Sequence, residues 1–276
     1  MRDPAFPPDN GQRPTDRDAA IDLSLARGVL YRSVALGLRR TTEHSPCSLS
    51  SPATWVAVQG AAALVDARCP HDEPLLPSVQ ALCAHPASPA ERSSAHSRLF
   101  GHSRGLVCPF ETEYGPEGAF RQPQELADIA GYYFAFGLRP AEGSDERVDH
   151  AACECEFMEF LARKQAFALA SLREGSGEGD PSEQLETIRA ATRSFLRDHL
   201  GRFGRAFASL LMREDAGGFH GSIGAILFLL LAKESQLFGL PPGPPSLDLR
   251  PPLPDDTPLG CGSCEERIEV QRRAQS

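Results

Sequence analysis

The strongest constraint on what this chain can fold into is the balance between two kinds of aliphatic residue. Alanine and leucine together number 67, valine and isoleucine only 15. β-Branched side chains lose rotamer freedom in a helix and are the usual material of strands, whereas Ala and Leu stand near the top of the helix scale. The balance predicts an all-α protein and disfavours enzymes built on a doubly wound sheet or a barrel. Apolar residues make up 41% of the 276 and charged residues 24%, enough to fold most of the chain around a sizeable core.

Proline divides the chain. Four of 24 prolines lie in residues 1–14 and eight in 241–258. Proline removes a backbone donor and blocks the helix interior, so both ends read as non-helical. The organisation expected is a mobile N-terminal arm over 1–14, a helical domain over 15–240, and a Pro-rich C-terminal tail over 241–276 that carries a CxxC. Both ends are expected to be dispensable for folding.

Between them the apolar period is helical. Leu23, Ala26, Leu30 and Val34 make one stripe. Ser51-Pro52 starts a second helix that carries Trp55, Val58, Ala62 and Val65. A shorter piece spans 75–83, and Ser88-Pro-Ala-Glu91 is a capping box. Residues 101–121 hold no clear period and read as an ordered loop. A helix from about Pro123 carries Leu126, Ile129, Ala130, Tyr133 and Phe136, with Gly137 placed to end it. A long helix from Asp149 to about Leu172 has Cys153, Phe157, Phe160, Leu161 and Ala168 as its stripe. Asp180 opens another, with Leu185, Ile188, Thr192, Phe195 and Leu196 inward. Two more follow near 203–212 and 219–237. No internal repeat is present, and the sum is a multi-helix bundle.

The formal charge is −9, with 26 arginines and two lysines. An acidic chain repels phosphate backbones and admits a basic peptide as partner. The polar N-terminus lacks the apolar core of a secretory signal, and the apolar run Ile223–Ala232 is too short to span a bilayer. Arg39-Arg40-Thr41-Thr42 has the paired arginines of a twin-arginine signal. It lacks the hydrophobic residues that should follow, and it reads as a solvated helix end. Eight scattered cysteines fit free thiols in a reducing cytoplasm.

Candidate chemistry is sparse. Cys261-Gly-Ser-Cys264 supplies two zinc ligands where a structural site usually needs four, and no second pair exists. Asp149-His150 followed by Glu154 and Glu156 is the densest polar cluster. Asp149 reads as an N-cap. Glu154, Glu156 and Glu159 read as a solvated face, with Glu159 and Arg163 as an i,i+4 pair. No hydrolase, zincin, Walker or dinucleotide fingerprint is present.

Four segments in order carry a resemblance: Arg98-Leu-Phe-Gly-His102, Cys108-Pro-Phe-Glu-Thr-Glu-Tyr114, Gln124-Glu-Leu-Ala-Asp-Ile-Ala-Gly-Tyr-Tyr133, and Glu146-Arg-Val-Asp-His150-Ala-Ala-Cys-Glu-Cys-Glu-Phe-Met158. Together they resemble the TorD/DmsD family of cytoplasmic chaperones for molybdopterin oxidoreductases of the dimethyl sulfoxide reductase superfamily, over about Arg92 to Glu234. The resemblance implies a TorD-like all-α bundle, no enzymatic turnover, no cofactor and no metal. It implies a cytoplasmic protein that binds the catalytic subunit of such an oxidoreductase before export, in part through its twin-arginine leader. It assigns client or leader binding to Asp149, His150, Glu154, Glu156, Tyr114 and Glu125, with Tyr132 and Tyr133 as nearby aromatics. The Cys108–Tyr114 loop resembles that of members serving ethylbenzene, dimethyl sulfide or nitrate-type enzymes. Cys153 and Cys155 depart from the pattern, where aliphatic residues are expected, and the CxxC tail lies outside the family's core. Two other readings stand beside it: a helical hydrolase using Asp149, His150 and a metal, and a thiol- or metal-handling protein using Cys261 and Cys264.

Overall fold

The computed structural model describes residues 14–40, 49, 51–71, 73–84, 87–101, 105–116, 119–139, 146–175 and 179–251. Residues 1–13 of the expected 1–14 arm, His102, and residues 252–276 of the expected tail, with Cys261 and Cys264, lie outside the described residues. Among the described residues there are nine α-helices and no strand, only two isolated antiparallel bridges.

The helices are α1 (Pro14–Leu38), α2 (Pro52–Arg68), α3 (Leu76–Ala84), α4 (Pro89–Phe100), α5 (Gln122–Ala135), α6 (Ala151–Glu174), α7 (Pro181–Asp198), α8 (Leu200–Glu214) and α9 (Phe219–Leu237). Local signals account for most of their ends. Ser51 accepts from the Thr54 N–H at 3.1 Å, and Ser88 and Glu91 close the capping box. Asp180 caps α7 by accepting from the Ser182 N–H at 2.9 Å. Gly175, at φ 64°, ends α6 in the left-handed conformation that glycine adopts without a Cβ clash.

Two long helices form the centre. α1 lies along α6, which α7 flanks on another side. α8 and α9 make an antiparallel pair, and α9 returns to touch α1 and α3. Their close approach needs Gly224, where a Cβ would come within 2.8 Å of the Ala208 carbonyl oxygen. The core contains Leu30, Val34, Phe157, Phe195, Phe207 and Leu230, all essentially without solvent exposure.

Charge also sits in this core. Arg27 on α1 forks onto Glu234 of α9 at 2.5 and 2.7 Å and donates to Gln165 of α6 at 3.0 Å. One guanidinium thereby ties three helices. Lys233 bonds the Cys69 carbonyl at 3.0 Å and Asp66 at 2.9 Å, fastening α9 to the end of α2. A buried charge is tolerable only when paired and bonded in this way.

Residues 241–251 are non-helical, as their prolines require, and they lie packed on the body. Arg205 donates to the Gly243 carbonyl at 2.7 Å, and Tyr114 and Leu249 form an antiparallel bridge. No helix among the described residues is long and apolar enough to cross a membrane.

Candidate functional site

The first turn of α6 meets the loop that carries Cys108–Tyr114. The Glu111 N–H donates to the Asp149 carbonyl at 2.9 Å, and the Ala151 N–H donates to the Pro109 carbonyl at 2.8 Å. The loop turns through one short 3₁₀ segment, Glu111–Glu113. That turn points Thr112 at Asp149. Asp149 is 0% exposed, and its carboxylate accepts from the Thr112 N–H at 3.1 Å and the Thr112 hydroxyl at 2.8 Å. Arg147 adds Nε at 3.0 Å and Nη2 at 2.8 Å. Arg147 also reaches Glu113 at 3.1 Å and lies over the Phe110 ring, 4.2 Å from its centroid.

Asp149 is therefore not the helix cap. His150 is: its Nδ1 accepts from the Ala152 N–H at 3.0 Å, which places the ring proton on Nε2. The start of the helix is shifted by one residue because Asp149 finds better donors in the loop. The imidazole packs edge-on against Phe110 at 5.5 Å. Burial pushes its pKa down to about 4, so it is neutral at pH 7.

Glu154 corrects a second expectation. It does not lie on a solvated face; it is completely buried and faces Glu111. Helix α6 runs through the middle of the bundle, so several of its sides are covered. Burial first, and the Glu111 charge second, hold the Glu154 carboxyl well above the ordinary range. Glu111 accepts from Arg202 at 2.9 and 3.2 Å and lies 3.2 Å from His199 Nδ1. Glu159 is also largely buried, although its expected pairing with Arg163 is present at 2.9 Å.

Tyr114 is buried, and its hydroxyl donates to the Cys108 carbonyl at 2.7 Å. Glu125 accepts from Arg250 at 2.7 and 2.8 Å. The Arg250 N–H donates to the Glu113 carbonyl at 2.7 Å, and the Gly115 N–H to that of Asp248 at 3.0 Å. The 241–251 segment thus clamps the same loop that Asp149 holds from the other side.

Of the six expected residues, Glu156 alone stands at an open surface. It lines a cleft of about 440 Å³ between the end of α1, the end of α5 and the first turns of α6. Tyr133, Leu138, Phe157 and Phe160 form its apolar walls. Glu146 and Glu156, with Arg39 and Arg139, form its polar side. Arg39 forks onto Glu156 at 2.8 Å through Nε and Nη2, and it pairs with Glu146. Tyr133 connects the cleft to the corner behind it, its hydroxyl donating to the Val148 carbonyl at 2.9 Å. Tyr132 faces away, against Phe195 and His199.

The sequence reading missed Arg39, Thr112, Arg147, Glu111 and Arg250 as parts of this assembly. Arg147 stands two residues before Asp149, and Glu111 and Thr112 lie inside the quoted loop, so proximity to the motif was their signal. Nothing local signals Arg250.

Among the described residues, no three His, Cys, Asp or Glu side chains converge as metal ligands. Cys69, Cys83, Cys108, Cys153 and Cys155 are free thiols. Cys153 lines the cleft while Cys155 is buried, so the two point to different faces.

The family model described as nitrate reductase delta subunit matches residues 73–209. The dimethyl sulfide dehydrogenase assembly chaperone protein of Rhodovulum sulfidophilum is 28% identical over 210 residues, covering 73% of this chain and 76% of that protein. No solved structure matches the chain. The stretch matched by the family model takes in the Cys108–Tyr114 loop, the Asp149–His150 corner and the aromatic walls of the cleft, but not Arg39. Over residues 73–209 the chain is similar to the nitrate reductase delta subunit family, and over most of its length it is similar to an assembly chaperone.

Proposed function

We propose that this protein is a cytoplasmic chaperone that binds the catalytic subunit of a molybdopterin-containing oxidoreductase during cofactor insertion, assembly and export. On this reading it grips the subunit in part through its twin-arginine leader. The observation that carries the reading is the open cleft beside the Asp149–His150 corner, with two carboxylates on one side and four apolar side chains on the others. A basic segment followed by an apolar one suits both surfaces, since arginine forks onto carboxylates and apolar residues seek the aromatic walls. The similarity to a dimethyl sulfide dehydrogenase assembly chaperone supports a client of that class.

Within this reading Glu156 touches the client. Asp149, His150, Glu154, Tyr114 and Glu125 serve binding from behind, by fixing the loop and the first turn of α6. Co-expression with the catalytic subunit of a molybdopterin oxidoreductase, with and without its leader, tests the assignment. The tagged chaperone is expected to retain the apo-subunit, and leader deletion is expected to weaken retention. Equal recovery of an unrelated exported protein would overturn the reading.

A further inference from the structure

We infer that the cleft is a guanidinium site which Arg39 fills in the free protein, and that an arginine of an incoming peptide takes its place. The inference rests on reading this cleft as the client site, and it adds what occupies the cleft's carboxylates before a client arrives.

The geometry is that of a bound ligand supplied from within. Arg39 follows the last residue of α1 and turns across to α6. Its Nε and Nη2 meet the two oxygens of Glu156 at 2.8 Å each, the forked arrangement used to recognise arginine. Nη1 is bonded to Glu146, and Nη2 also approaches Cys153 Sγ at 3.7 Å. A guanidinium has five N–H donors, and three of its nitrogens are engaged here. Arg40, the second of the adjacent pair, is exposed.

Exposure of the carboxylate separates this arrangement from the Arg147–Asp149 pair, whose carboxylate is fully buried. The side chain of Arg39 is 34% exposed, that of Glu146 27% and that of Glu156 43%. Water reaches all three, so opening the pair costs little. Exchange of one guanidinium for another conserves charge and the forked bonds. Arg39 holds the advantage of being tethered, so a lone arginine competes poorly. A peptide that also places apolar side chains against Tyr133, Leu138, Phe157 and Phe160 gains contacts that Arg39 cannot make. The plug therefore sets a threshold: ligands with arginine alone, or with an apolar segment alone, leave Arg39 on its carboxylates.

The test uses the full chain and a short labelled peptide with two adjacent arginines followed by leucine and phenylalanine, titrated by fluorescence anisotropy. Arg39→Ala is expected to bind it about five- to tenfold more tightly than wild type, the scale of one half-exposed pair. Arg39→Met, which keeps an unbranched apolar stem in place of the guanidinium, is expected to show the same gain. Adding Glu156→Gln to either variant is expected to abolish it, and a peptide with alanines for arginines is expected to discriminate none of them. Unchanged or weaker binding by both Arg39 variants, each retaining a cooperative unfolding transition, would overturn the inference. If that happens while the catalytic subunit still co-purifies, the plug falls and the chaperone assignment stands. If the gain appears but no molybdopterin subunit is retained, the site stands and its assignment to that client falls.

Discussion

Two arginine–carboxylate clusters lie within a few residues of one another on the same helix entrance, and they do opposite work. In the corner, Arg147 holds an Asp149 that is 0% exposed and saturated by Thr112 as well. In the cleft, Arg39 holds a Glu156 that is 43% exposed. The residue types are nearly the same, and the difference is solvent. A buried carboxylate stripped of its donors has no water to replace them, so the corner is fixed. A half-exposed one rehydrates, so the cleft can exchange its partner. On the proposed reading of the cleft, burial more than residue identity separates the frame of the site from its contact surface.

The comparison breaks most visibly at Asp149. Asp149→Ala leaves the Thr112 N–H and part of Arg147 without a partner inside the protein. A loss of about 3 kcal/mol is expected in urea unfolding, below the full cost of orphaning a buried ion because Arg147 can reach water. A loss under about 1 kcal/mol would place the corner with the cleft.

The clamp over the loop comes next. Truncation after residue 240 removes Arg250 from Glu125, together with the backbone bonds of 248 and 250 to the loop. Thermal unfolding is expected to report a loss of about 2 kcal/mol, in contrast to the dispensability that proline content suggests.

Protonation sharpens the contrast further. The folded pKa of Glu154 lies above its unfolded value of 4.5, because burial and Glu111 oppose its charge. The stability it contributes is complete below that value and drains away as pH rises through the folded pKa. Glu154→Gln does not titrate, so its stability relative to wild type should rise as the pH is taken from 5 to 7. His150 has the opposite sign. Its folded pKa of about 4 lies below the unfolded 6.5, so its contribution is present above 6.5 and is lost as pH falls toward about 4. His150→Asn, which can still cap α6, should flatten that acid limb by somewhat less than about 1 kcal/mol per pH unit.

The smallest effect is expected in the cleft. Arg39→Ala should change stability by no more than about 1 kcal/mol, however much it changes peptide binding. A larger loss would make Arg39 part of the frame.

The helices were legible because their signals are local. Ser51-Pro52, Ser88 to Glu91 and Asp180-Pro181 each announce a helix start within four residues, and the stripe Leu185, Ile188, Thr192, Phe195 and Leu196 is buried throughout. The site was legible as a segment of sequence but not as an arrangement. Glu154 and Glu156 are two residues apart, and nothing in the spacing says that one is sealed in the core while the other stands at an open cleft. On α6 the amphipathic rule loses its force, since Ala151, Glu154, Phe157 and Met158 are all buried.

What the sequence by itself determined is the helical class, the ends of most helices and the segment in which the family's signature lies. These follow from rotamer freedom, backbone donors and periodicity, all settled within a turn or two of chain. Only the tertiary structure decided that His150 caps α6 while Asp149 clips a loop, that Arg250 closes on Glu125 from 125 residues away, and that Arg39 lies across Glu156. Each of these depends on which side chains from distant segments reach a given charge, and on whether water reaches it too. Neither quantity is written in local order, because both are set by how the helices pack.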